Sequence, residues 1–275
     1  MKRYQLILLS MLILFASCKE KKEVSKNPDH SDPSSEIKTE EVSYTVNDQN
    51  YQSYVSFKND KDNLKPIVFV IPEWWGLNDY VKSRAEELAD LGYFAMAVDF
   101  YGDGKVVYTP EDAQKLATPF YENPVLAKQV FDAAKEKALS FQNADKNKMA
   151  VIGYCFGGAQ ALNMARQEAD LKGAVSFHGN LETGVKPNNN AVKILVLNGE
   201  ADTFVSKEEI DAFKREMDSA NIRYEFINYP GAIHGFTNPA STETGEKYNL
   251  KVAYNKAADQ KSWQQMKSFL ADIFN

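Results

Sequence analysis

The chain has 275 residues, enough for one large α/β domain rather than a string of small modules. With 44% hydrophobic and 25% charged residues it can bury a sizeable core, and a formal charge of -6 without a long basic stripe argues against nucleic acid as a partner. Two cysteines cannot build a disulfide framework, and the three histidines show no metal-ligand spacing, so neither a metal nor another cofactor is expected.

The chain opens with Lys2 and Arg3, followed by an apolar run over residues 6–15 that is too short to span a bilayer as a mature helix. Phe15-Ala16-Ser17-Cys18 then resembles a bacterial lipobox. That likeness implies a lipoprotein signal peptide over residues 1–17, cleavage before Cys18 and lipid attachment to it. The alternative is an ordinary secretory signal with a chance cysteine, although no A-x-A site follows. Residues 18–41 are charged, with two prolines and no aromatic ring, and read as a flexible tether. An extracytoplasmic protein held by lipid at a periplasmic face or cell surface is the expectation. With Cys18 lipidated, Cys155 has no disulfide partner.

A domain is expected over residues 42–275. Residues 42–46 and 51–57 are β-prone on either side of Asn47-Asp48-Gln49-Asn50, which predicts an antiparallel hairpin. From Pro66 buried strands alternate with amphipathic helices. Strands are predicted at 67–71, 94–99, 149–152, 174–177, 193–198 and 224–229. Asp79 is a candidate cap for a helix burying Val81, Ala85 and Leu88. Thr109-Pro110 and Pro124 start two more helices, the second burying Ala127, Val130, Phe131, Ala134, Ala138 and Phe141. Ser206-Lys207-Glu208-Glu209 forms a capping box, and Trp263, Met266, Leu270 and Ile273 give the last helix its stripe. The pattern predicts an α/β-hydrolase architecture. It would have a mostly parallel sheet of about eight strands, helices on both faces and the hairpin leading in.

Chemistry gathers where strands end. Gly153-Tyr154-Cys155-Phe156-Gly157-Gly158 places a thiol at a strand-to-helix turn of the G-x-S-x-G type, with cysteine in the central position. Asp202 and His234 each follow a later strand, in the order nucleophile, acid, histidine. Cys155 reads as nucleophile, His234 as general base and then acid, and Asp202 as the group orienting the imidazole. The helix N-terminus favours the thiolate. Each residue has a blander reading: a buried inert cysteine, a loop histidine, or Glu200 in place of Asp202.

PEWWG at 72–76, VDFYGDG at 98–104, GYCFGG at 153–158, NGEAD at 198–202 and PGAIHGF at 230–236 together make the chain resemble the dienelactone hydrolase family. The resemblance implies a triad of Cys155, His234 and Asp202, with Glu73 contacting the resting thiol. It also implies an oxyanion hole formed by the backbone N–H groups of Trp74 and Phe156. The negative charge of Glu73 would keep the thiol protonated until substrate displaces it. Family members acting on dienelactone hold its carboxylate with two arginines, and Asp103 and Asn238 stand at those positions here. An aspartate would repel a carboxylate, so the expected substrate is another ester or lactone, neutral or even cationic. Trp75, Tyr101, His178 and Asn238 are candidate substrate contacts, with a structural hydrogen bond an equal reading for His178, and Trp74 and Trp75 are candidate pocket walls that could instead be core. A non-catalytic binding lipoprotein on the same fold is the competing reading, and a thiol redox protein lacks its resolving cysteine.

Overall fold

The protein, seen in a computed structural model, is described at residues 36–60, 63–168, 170–188 and 191–275. The expected signal peptide, the expected lipid site Cys18 and most of the expected tether lie outside the described residues.

The first strands, β1 (Ile37–Val46) and β2 (Gln49–Lys58), form the antiparallel hairpin. Its turn is only Asn47 and Asp48, both left-handed at φ 47° and 64°. Two such residues give a turn whose twist matches that of the flanking strands. Gln49 and Asn50 therefore pair with Val46 and Thr45 instead of extending the turn. β1 also begins at Ile37, inside the segment read as tether, because its backbone pairs with β2 as far as Lys58.

β3 (Lys65–Ile71), α1 (Asp79–Asp90), β4 (Phe94–Ala97), α2 (Pro110–Glu122), α3 (Pro124–Leu139) and β5 (Ala144–Tyr154) come next. They are followed by α4 (Phe156–Gln167), β6 (Leu171–Phe177), β7 (Lys193–Gly199), α5 (Lys207–Ser219), β8 (Arg223–Tyr229), α6 (Ser241–Tyr248) and α7 (Lys256–Phe274). The eight strands lie in the order β1-β2-β4-β3-β5-β6-β7-β8, antiparallel only at the hairpin and where β2 meets β4.

Period-two alternation splits the core between the two faces. Ile67, Phe69 and Ile71 of β3 pack with Ala127, Val130 and Phe131 of α3. Val68 and Val70 pack on the other face with Val81 and Leu88 of α1 and Met266 and Leu270 of α7. Burial on both faces explains why the strands read as continuous apolar runs.

Local details depart from expectation in physical ways. Asn78, not Asp79, caps α1, because its side chain accepts from the Val81 N–H while Asp79 occupies the first turn. Ser206 caps α5 through the Glu209 N–H, yet Glu209 does not reach back. Its carboxylate accepts instead from the N–H groups of Leu181 and Glu182. The short polar helix α6 carries no apolar stripe and is invisible to a periodicity reading.

Candidate active site

From β3 the chain winds through α1 to β4 on one side and through α2 and α3 to β5 on the other. At such a reversal the carboxyl ends of the strands open a crevice that neighbouring loops cannot fill. Glu73 follows β3 and Cys155 follows β5, so the sheet places them on its two sides.

Cys155 sits at φ 54°, ψ −115°, a conformation that costs a residue with a side chain about 1–3 kcal/mol. Glycines make the turn possible. A Cβ on Gly157 would lie 2.1 Å from the Ile71 carbonyl oxygen, and one on Gly153 would lie 1.9 Å from the Gly157 oxygen. Their absence lets the start of α4 press against the end of β3. The Cys155 N–H donates to the Phe177 carbonyl at 3.0 Å and to His178 Nδ1 at 3.2 Å. Phe156 is the first residue of α4, so its N–H has no intrahelical acceptor. Among the described residues neither that N–H nor the one on Trp74 has an acceptor. These are the two donors the sequence named for an oxyanion.

His234 Nδ1 donates to Asp202 Oδ2 at 2.9 Å, and the other carboxylate oxygen accepts from the Phe204 N–H at 2.8 Å. The Asp202 side chain is fully buried. The imidazole backbone is held by α6 and the strip beyond it, where the Ala253 N–H donates to the His234 carbonyl at 3.1 Å. With Nδ1 engaged, Nε2 is the ring nitrogen left for a hydrogen bond to Cys155. Burial alone would depress the His234 pKa. The charge of Cys155 and hydrogen bonds to Asp202 and Cys155 overcome it and lift the imidazole to about 10.

Glu73 departs from expectation. Its Oε2 accepts from Asn238 Nδ2 at 2.6 Å, and among the described residues it has no hydrogen bond to the thiol. Burial raises its carboxyl to about 7, against smaller opposing effects of the Asn238 hydrogen bond and the charges of His234 and Arg84.

Cys155, His234 and Glu73 share a cavity of about 370 Å³ with Trp74, Trp75, Tyr121, Phe204, Leu250 and Val252. Among the described residues its wall holds no lysine or arginine. Trp75 lines this cavity, whereas Tyr101, His178 and Asn238 do not. Tyr101 is buried and donates from its hydroxyl to the Trp74 carbonyl at 3.0 Å, bracing that loop. Asn238 is occupied by Glu73. His178 Nδ1 accepts from Cys155, so the neutral ring carries its proton on Nε2 and donates to Thr237 Oγ1 at 2.8 Å. Burial first, and then the charge of His234, push the His178 pKa well below its ordinary value.

Asp103 is exposed and accepts from the side chains of Gln49 and Asn50, away from the cavity. It repels nothing there, and that part of the sequence argument falls. Asp99 of the same motif is a scaffold: its carboxylate accepts from the N–H groups of Gln52, Tyr101, Gly102 and Gly104. The sequence reading missed the α2 wall. Gln114, Ala117, Thr118 and Tyr121 recur at i, i+3, i+4 and i+7, a stripe that was legible but too polar to read as a buried face. Phe204 and the α6 residues Ser241 and Thr244 had no such signal.

The model of the dienelactone hydrolase family matches residues 53–274. Protein usf of Aquifex pyrophilus is 30% identical over 70% of this chain and 87% of its own. A protein of Aquifex aeolicus named as a carboxymethylenebutenolidase is 29% identical over 63% of this chain and 77% of its own. Among solved structures, a dienelactone hydrolase-like promiscuous phosphotriesterase from metagenomic libraries superposes with a TM-score of 0.80 at 29% identity. It covers 87% of this chain and 99% of that one.

Proposed function

The chain belongs to the dienelactone hydrolase family and is a hydrolase of ester or lactone bonds; from that premise we propose that it works through Cys155 on substrates that lack the dienelactone carboxylate. The observation carrying this reading is the position of Cys155, His234 and Asp202 just past the ends of β5, β8 and β7, beside a cavity whose wall, among the described residues, holds no lysine or arginine.

The reaction begins with the thiol proton passed to the His234 imidazole and the sulfur free to attack as thiolate. Attack on the carbonyl carbon forms the C–S bond, and the oxyanion collects the N–H groups of Trp74 and Phe156. One such donor is worth roughly 10²–10³-fold. Collapse breaks the C–O bond, with the His234 proton passing to the departing alkoxide. Acylation removes the sulfur charge that held the imidazole high. Burial then depresses the ring, and it becomes a base able to take a proton from water. Water attacks the thioester, the C–S bond breaks, and acid leaves as thiolate and imidazolium re-form.

The missing carboxylate clamp supports a neutral substrate, since an anion here would face Glu73 with no lysine or arginine in the described wall to hold it. Incubation with 4-nitrophenyl acetate should give a product burst and turnover that Cys155→Ala abolishes. Turnover unaffected by that substitution would end the cysteine reading, and no turnover of any simple ester would favour a binding protein. Lipid attachment at Cys18 rests on the lipobox alone. Fatty-acid labelling that persists in Cys18→Ala would refute it.

A further inference from the structure

Beside the catalytic cavity lies a second one of about 270 Å³, and Trp75 and Thr244 belong to the walls of both. The two cavities are therefore neighbours, and a substrate part extending from Cys155 past Trp75 and Thr244 would enter the second. The second cavity has a different chemistry. Tyr108 and Tyr248 bring rings to it, and α6 brings Glu243 and Lys247, one turn apart.

The rings are held by backbone. The Tyr248 hydroxyl donates to the Tyr108 carbonyl at 2.6 Å, and the Val107 N–H donates to the Trp75 carbonyl at 3.0 Å. Tyr108 is nonetheless 77% exposed, an aromatic face left open to an incoming group. Among the described residues Glu243 and Lys247 have no ion-pair partner, and their charges cancel.

The arrangement discriminates by charge and polarity. An ion of either sign would be drawn to one of Glu243 and Lys247 and repelled by the other, so the annex offers it no net attraction. A plain alkyl chain would strip water from both without replacing its hydrogen bonds. A neutral ring bearing several hydroxyls suits them: hydroxyls donate to the carboxylate and accept from the ammonium, which lies 4.9 Å from the Tyr248 ring centre, while a C–H face lies against the open ring of Tyr108. We propose that this annex binds the alcohol half of the substrate, a polyhydroxylated alcohol such as a sugar, while the acyl half occupies the apolar cavity at Cys155. The inference rests on the hydrolase reading above. Asn238 also borders the annex, so its occupant touches the residue that holds Glu73.

Two esters of one acid test it: ethyl butyrate and 6-O-butyryl-glucose. The purified protein should cleave the sugar ester with kcat/KM at least about 10-fold above the ethyl ester, the scale of one or two good ring and hydroxyl contacts. Tyr108→Ala and Lys247→Ala, both on the surface, should erase that preference while leaving ethyl butyrate within about two-fold. Equal cleavage of both esters by the wild type, or variants that slow both alike, overturns the annex. If neither ester is cleaved, the hydrolase reading has failed instead. Calorimetric titration of methyl glucoside then judges the annex directly: binding lost in Tyr108→Ala sustains it, and no binding to the wild type overturns it.

Discussion

Asn238 donates a 2.6 Å hydrogen bond to Glu73, and the two side chains are almost shut off from water, at 7% and 5% exposure. One neutral donor cannot replace the hydration a carboxylate loses on burial. The carboxyl therefore rises from an ordinary 4.5 to about 7. Because the folded value lies above the unfolded one, its contribution to stability is full below about pH 4.5 and is lost as pH climbs through 7. The loss is of the order of 3 kcal/mol at most. Glu73→Gln should remove this slope, so that the variant gains on the wild type between pH 5 and pH 8. Urea denaturation at the two values reads the difference, and an identical offset at both would show that the carboxyl is not raised.

The same titration bears on the thiol. Glu73 lines the cavity that holds Cys155, so above pH 7 its charge opposes the neighbouring thiolate. Alkylation of Cys155 by iodoacetamide, a neutral reagent, should be faster in Glu73→Gln than in the wild type at pH 8 and equal to it at pH 5. Coincident rate profiles across that range would remove any restraining role for Glu73.

His234 offers a separate measurement. Its imidazole stands at about 10 against the pull of burial, and two of the raising influences come from Cys155. Cys155→Ala should leave only Asp202 in support, and the imidazole should titrate at lower pH than in the wild type. Nuclear magnetic resonance of the ring protons follows both titrations. An unchanged midpoint would mean that Asp202 alone sustains the charge, and that acylation cannot release the base for the second half of the reaction.

Most of the sheet was legible because a strand buried on both faces is an unbroken apolar run, as in residues 67–71 and 193–198. The positions of Cys155, Asp202 and His234 were legible because each sits just beyond such a run. The hydrogen-bond partners were not. Glu73 and Asn238 are far apart in sequence, and nothing in either segment says that they meet. Asp99 and Asp103 lie in one motif, yet only folding shows both to be occupied by the hairpin rather than by substrate. α6 escaped because its residues are polar throughout and its place is fixed by close approach to the 250–252 strip, where a Cβ on Gly245 would lie 2.3 Å from the Val252 oxygen.

The sequence left His178 as either a substrate contact or a structural hydrogen-bonding residue; the structure shows its hydrogen bonds, and it carries the last prediction. It accepts the nucleophile's own N–H and passes a hydrogen bond to Thr237, which in turn accepts from the Tyr80 hydroxyl at 2.8 Å. It thus steadies the turn without facing the substrate cavity. His178→Phe keeps the bulk but removes both hydrogen bonds, leaving Cys155 N–H only the Phe177 carbonyl and Thr237 only the Tyr80 hydroxyl, which costs about 0.5–1.5 kcal/mol. It should lower kcat by about 10–100-fold with little change in KM, since the sulfur loses its aim rather than the substrate its pocket. His178→Asn restores an acceptor and a donor, and asparagine tolerates the φ of 42° found there. It should recover part of the loss in both kcat and melting temperature. A Phe variant with wild-type kcat, or an Asn variant no better than Phe, would mean that the hydrogen bond to Cys155 does not position the nucleophile.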